Sequence, residues 1–349
     1  MQETDTEFKN YLMLLAGLVL SAILLLALTA IYIEPLDGEL TRLGGYSERD
    51  FGANSLQKTI GKDIHLGDRY DQYYDVVVVG DSFSRSGLWQ SFFRKETGLS
   101  ITTLDVFTTS LDDFVTNSLF RRYPPRTMVV EIGERGLLLK FPPQDTSCSQ
   151  TASSTRPNHE KLDFLRQHVS FQDKVRRRTV KLEDINLKYA QLFIQRSLVR
   201  YLLKYDFTEV KRYPLSRRDL FSNRKNDEIL IFKDDLIKAT WTREEIRAAA
   251  CAVKKLQDRV QQNGKTLFVF MLIPDKSTAY ADYIMDPQLH KILRSHPLLA
   301  EQGVNLPRID FLLESAIKAG EIDVYLPNDT HFGTRGYELV ALSLVRFLQ

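Results

Sequence analysis

Apolar positions along this chain fall into two regimes. From Tyr11 to Ile33 the sequence YLMLLAGLVLSAILLLALTAIYI runs without a charge, long enough at about 1.5 Å per residue to cross a hydrocarbon core of roughly 30 Å. Beyond it, apolar residues come in short runs and helical stripes. Tyr74-Asp75-Val76-Val77-Val78-Val79, residues 127–132 (TMVVEI) and residues 266–273 (TLFVFMLI) predict strands buried on both faces. Helical spacing covers 86–97 and 244–262, the second stopping before Asn263-Gly264. A short last strand is expected at 324–327 and a closing helix at 336–348. Strands alternating with helices predict an α/β fold with a mostly parallel sheet flanked by helices.

The apolar run is read as an uncleaved anchor. A secretory signal would carry an apolar region of about 7–15 residues and a small-residue cleavage site. Tyr11 and Tyr32 sit where interfacial aromatics belong. The expected organisation is a cytoplasmic tail (1–10), a transmembrane anchor (11–33), a polar linker and N-terminal segment (34–70), and a domain over 71–349. Within that domain the pattern lapses at about 145–230, which is polar and basic, with Arg176-Arg177-Arg178, Arg217-Arg218 and Arg224-Lys225. This insertion reads as a solvated cap on the domain, or as a positive rim for an anionic polymer or lipid headgroups.

Composition narrows the function more than the fold. Lys+Arg total 47 against Asp+Glu 45, a net charge of +2, which disfavours a dedicated nucleic-acid binder. Two cysteines, Cys148 and Cys251, exclude a disulfide scaffold and a four-cysteine zinc site. They can pair in an oxidising compartment; Cys251, in an Ala-rich helical stretch, is read as a buried thiol. His65, His159, His168, His290 and His296 show no metal-ligand spacing, so no metal is expected.

Candidate chemistry begins at Gly80-Asp81-Ser82, between a strand and a helix. A serine there is presented at the carboxyl end of the sheet, beside a helix start that offers amides to an oxyanion. Gly80 is read as permitting the tight turn, Asp81 as a turn or capping residue. The second half is Asp329-Thr330-His331, after the last expected strand. His331 can take the Ser82 proton and Asp329 can orient the imidazole. Either motif alone also reads as an ordinary turn; their conjunction at opposite ends of one α/β domain is more specific.

These residues resemble the SGNH hydrolase superfamily, and within it the membrane-anchored AlgJ/AlgX-like exopolysaccharide O-acetyltransferases. Thr41-Arg42-Leu43-Gly44-Gly45, residues 130–135 (VEIGER), Lys233-Asp234-Asp235 and residues 274–280 (PDKSTAY) add to that likeness. Three differences accompany it. No Asn oxyanion block is recognisable, Phe332 stands where the family has Trp, and the D-x-H segment follows the serine instead of preceding it. The resemblance implies a flavodoxin-like sheet, Ser82 as acetyl-accepting nucleophile, His331 as base and Asp329 as its partner. It also implies Arg135, Lys276 and Tyr280 near the site, contacting sugar or acyl oxygens, and no cofactor. Implied partners are a polysaccharide acceptor and a multi-spanning membrane acyltransferase as acetyl donor. The implied location is the inner membrane, with the domain in the periplasm. The rival readings are a carbohydrate acetylesterase and a non-catalytic polysaccharide-binding subunit; Arg135 can instead be an ion-pair residue, Lys276 a surface lysine and Tyr280 a packed aromatic.

Overall fold

The structure is a computed structural model that describes residues 2–60, 69–143, 164–175 and 179–349, with side chains from Thr6 onward. Its centre is a four-stranded parallel sheet. β2 (Val76–Gly80) lies between β3 (Ile101–Asp105) and β4 (Thr127–Gly133), and β8 (Leu267–Ile273) pairs with the far side of β4. Because side chains alternate across a strand, each apolar run feeds two cores. Val76, Val78, Val129 and Met271 pack under α5 (Leu88–Thr97) and the helices Ile309–Lys318 and Thr334–Leu348. Val77, Val79, Met128 and Phe270 pack under the helix Arg243–Gln261. The α/β architecture expected from the alternation, a mostly parallel sheet flanked by helices, is the one present.

Several elements differ from the pattern-based reading. β3 has the sequence ITTLD; as a sheet edge it needs no continuous apolar run, and so it gave no signal. The helix expected at 86–97 is α5, which starts after Gly87, whose φ of 65° is left-handed; a separate short helix, α4 (Ser82–Arg85), precedes it. The expected last strand does not join the sheet. Tyr325 pairs only with Phe332, in an isolated antiparallel bridge, so 326–331 is a loop that doubles back on itself.

The segment read as a linker folds onto the domain. It forms α2 (Glu39–Gly44), α3 (Glu48–Phe51) and β1 (Gln57–Ile60). β1 pairs antiparallel with β5 (Phe171–Lys174), and β6 (Val210–Pro214) pairs with β7 (Glu228–Phe232). Leu40, Tyr46, Phe51, Val210 and Leu230 make a small core between these pieces. The described part of the basic stretch is therefore a structured cap. Arg217 pairs with Asp219 at 2.6 Å and Arg218 with Asp227 at 3.3 Å, so local acids answer this doublet; Arg176-Arg177-Arg178 lie outside the described residues.

Cys251 is buried, as expected, and it is disulfide-bonded instead of carrying a free thiol. Cys148, the other cysteine of the sequence, lies outside the described residues.

α1 (Gln2–Ile33) is the N-terminal apolar helix. Residues 6–33 are long and apolar enough to cross a membrane, and only 6% of the most apolar window is buried against the rest of the protein.

Candidate active site

β2 ends at Gly80, and the chain turns directly into α4. A Cβ on Gly80 would overlap Ser84 Oγ and the Glu131 carboxylate. The glycine is needed for close approach from behind, not for an unusual φ. Asp81 caps the helix: one carboxylate oxygen accepts from the Phe83 amide at 2.9 Å, the other from the Gly133 amide at 2.7 Å. The amides of Ser84 and Arg85 donate to the Asp81 carbonyl. Of the first-turn donors, the Ser82 amide remains without an acceptor among the described residues.

Ser82 Oγ lies 2.9 Å from His331 Nε2, and Asp329 Oδ1 lies 2.7 Å from His331 Nδ1. The same Asp329 oxygen accepts from the His331 amide at 3.0 Å, locking the imidazole to its own loop. The ring packs against Phe83, centroids 4.9 Å apart. Burial raises the Asp329 carboxyl, but the hydrogen bonds and charge of His331 outweigh it and leave the group below its ordinary value. Ser82, Asp329 and His331 all line one cleft of about 1110 Å³.

The N-terminal pieces clamp the same loop. The Leu40 amide donates to Asn328 O at 2.9 Å, and the Glu39 amide to Asp329 Oδ2 at 3.2 Å. Thr330 Oγ1 donates to Glu39 at 3.0 Å. Buried Glu48 accepts from the Gly38 amide (2.9 Å), Asn328 Nδ2 (2.8 Å) and Thr41 Oγ1. A Cβ on Gly38 would overlap Asn328. Glu39, Glu48 and Asn328 gave no usable signal, because nothing in a polar stretch tells a solvated glutamate from a buried one.

Glu39, Asp329 and His331 also bring one ligand atom each within 4.8 Å of one another. Their polar atoms are already engaged in the contacts just described, so the grouping reads as a hydrogen-bond chain more readily than as a cation site.

The three residues assigned to sugar or acyl contacts are placed elsewhere. Lys276 is buried beneath the loop, its Nζ donating to Leu326 O (2.7 Å), Pro327 O (2.9 Å) and Asp329 O (3.3 Å). Burial lowers its pKa to about 7, against the opposing pull of Asp329, Asp235 and Asp323. Tyr280 is wholly buried, packed on Phe221 and Tyr325. Arg135 pairs with Asp235 at 2.6 Å and Asp275 at 3.6 Å. A loop with almost no regular structure needs support from below, and these residues supply it.

Lys238 completes that support. Fully buried, it pairs with Glu134 at 2.7 Å and Asp275 at 2.8 Å and donates to Thr278 at 2.5 Å. Segments 130–135, 233–235 and 274–280, scattered in sequence, therefore meet in one buried ionic cluster behind the Asp329–His331 loop.

The comparisons bear on this same region. Residues 227–349 match the SGNH hydrolase-like domain of acetyltransferase AlgX. The AlgX-like segment includes Asp329, His331, Lys276, Lys238 and Asp275, and it leaves Ser82, β2, Glu134 and Arg135 outside. This is the likeness that the motifs carried. No curated protein and no solved structure gives a significant match to the chain.

Proposed function

We propose that this protein is a serine-dependent O-acetyltransferase acting on a polysaccharide outside the cytoplasm. The observation that carries the reading is the hydrogen-bonded line from Asp329 through His331 to Ser82, contributed by two distant parts of the chain. In the first step Ser82 Oγ attacks the acetyl carbonyl carbon while its proton passes to His331 Nε2. The Ser82 amide faces the developing oxyanion. The leaving group takes the proton from His331 and an acetyl-serine remains. A glycan hydroxyl then attacks that ester, gives its proton to His331, and the proton returns to Ser82 Oγ as the acetylated product departs.

The acetyltransferase type of the matched domain supports acetyl as the group moved. The disulfide-bonded Cys251 supports an oxidising compartment. We read α1 as a single-pass inner-membrane anchor that keeps the domain in the periplasm, within reach of a membrane-embedded acetyl donor.

The test uses the full chain in detergent. A fluorophosphonate should label wild type and leave Ser82→Ala unlabelled. With p-nitrophenyl acetate as donor, an added oligosaccharide should divert acetyl from water to sugar. Labelling with acetate release alone would make the protein an acetylesterase. Absence of both labelling and hydrolysis would make it a binding subunit.

A further inference from the structure

The described part of the cap exposes apolar surface in one place above all others. Between residues 198 and 207, seven large apolar side chains are exposed, and Tyr201, Leu202, Leu203, Tyr205 and Phe207 are 56–71% exposed. They occupy the end of the helix Leu187–Leu203 and the loop after it. That helix packs against α1. An apolar groove of about 760 Å³ between them is walled by Leu28 and Tyr32 from α1 and by Phe193, Ile194, Leu198 and Tyr201 from the other side. Leu28 lies five residues before the end of α1, about 7 Å along the axis. The contact is therefore made within the apolar run and not beyond it.

We propose that residues 198–207 insert into the leaflet beside α1, so that the catalytic cleft opens along the bilayer surface. The proposal rests on reading α1 as membrane-spanning. The occupant is lipid because one wall of the groove is the anchor itself, whose other neighbours at that depth are acyl chains. The flanking chemistry suits an interface. Lys204 Nζ sits 4.7 Å from the centre of the Tyr201 ring and Lys211 Nζ 5.1 Å from that of Tyr205. Tyr205 and Phe207 pack edge to face at 4.4 Å. Of the nearby acids, Asp206 is held by Tyr46 at 2.5 Å and Arg200 at 3.5 Å, and Glu209 lies 3.8 Å from Lys233, which leaves Lys204 to meet anionic headgroups.

The same helix reaches the active cleft. Leu187 and Tyr189 line it, as do Ala30 and Ile33 at the end of α1. An acetyl donor held in the membrane therefore has a route to Ser82 along the bilayer surface, on the side that α1 borders.

The experiment places single tryptophans in the full chain, reconstituted in vesicles of phosphatidylethanolamine and phosphatidylglycerol containing brominated phosphatidylcholine. Wild type, with Trp89 and Trp241, gives the background. Tyr201→Trp and Phe207→Trp should be quenched at least half as strongly as Leu24→Trp inside the anchor. Ile322→Trp, at an exposed position that lines neither the cleft nor the groove, should match background. If Leu24→Trp is quenched while positions 201 and 207 behave like 322, lipid contact is overturned and a protein becomes the occupant of this face. If Leu24→Trp is not quenched either, the spanning reading fails and takes this proposal with it.

Discussion

Ser82 and His331 meet at 2.9 Å, yet what stands behind each is opposite in kind. Behind the serine, Glu131 accepts from Ser84 Oγ and from the Asp81 amide at 3.2 Å, and Trp89 donates to Ser84 Oγ at 3.1 Å. Among the described residues no lysine or arginine forms an ion pair with Glu131, and burial together with Asp81 pushes its carboxyl well above its ordinary value. Behind the histidine, Lys238, Lys276 and Arg135 interleave with Glu134, Asp235 and Asp275. The serine is fixed by covalent geometry, since a sheet strand runs straight into a helix. The histidine rides on a loop with a single β-bridge, and buried charges hold what regular structure does not.

The severest break is at the meeting point itself. His331→Ala should lower kcat by at least about 10³-fold with acetyl esters, while the melting temperature stays near that of wild type. Ser82→Ala should do the same, and the double variant should be no worse than either single one, because the two act as a unit. Retention of more than a tenth of the activity in either would move the chemistry away from this pair.

Next in size is the ionic support. Lys238→Met leaves buried Glu134 without its cation and Asp275 with only the more distant Arg135, and should cost about 3–5 kcal/mol in urea unfolding. Burial raises the Glu134 carboxyl, but Lys238 and the hydrogen bonds around it bring it down to about 2 from an ordinary 4.5. A depressed carboxyl stabilises the fold above its unfolded value, and that stability is lost as pH falls from about 4.5 towards 2. Lys238→Met should flatten this part of the stability–pH curve, and adding Glu134→Gln should restore some of the loss at neutral pH.

Lys276→Met should be milder. It removes the cation under three loop carbonyls, so kcat should fall by roughly 10–100-fold with KM little changed, as expected of a positioning residue. Its ammonium is depressed from 10.5 to about 7 by burial. Between those values the unfolded chain holds a proton that the folded one lacks, so wild-type stability should rise with pH across that window. The methionine variant should lose that slope. If kcat is unchanged, the lysine serves packing alone.

The two halves of the site were legible to different degrees for the same physical reason. Ser82, Asp329 and His331 could be read because strand-to-helix turns and D-x-H carry their chemistry in a few adjacent residues. The expected sheet also stood, since a strand buried on both faces must be a continuous apolar run. Arg135, Lys276 and Tyr280 were found as residues but not as supports of the loop, because sequence does not tell a lysine facing a cleft from one facing three carbonyls. Lys238 and Glu48 left no trace, as the partners that tie them to the site include Glu134 and Asn328, 104 and 280 residues away. The segment 34–70 looked like a linker because its apolar residues, Leu40, Tyr46 and Phe51, are too widely spaced to make a periodic stripe.

The smallest expected effect sharpens the comparison most. Glu131 and Glu134 sit three residues apart, both fully buried, at the end of β4. Glu131, which has no ion pair among the described residues, is held towards its neutral form by burial and Asp81. A group raised in this way costs stability as pH climbs through the ordinary carboxyl range, because the native state keeps a proton that the unfolded state releases. Glu131→Gln preserves an acceptor oxygen for Ser84 Oγ and the Asp81 amide and removes the titration. It should therefore change neutral-pH stability by less than about 1 kcal/mol, or raise it, and leave kcat within a few-fold. Glu134→Gln alone strands part of the Lys238 charge and should cost more. Equal losses from the two substitutions in parallel urea titrations would mean that charge supports the serine side as well.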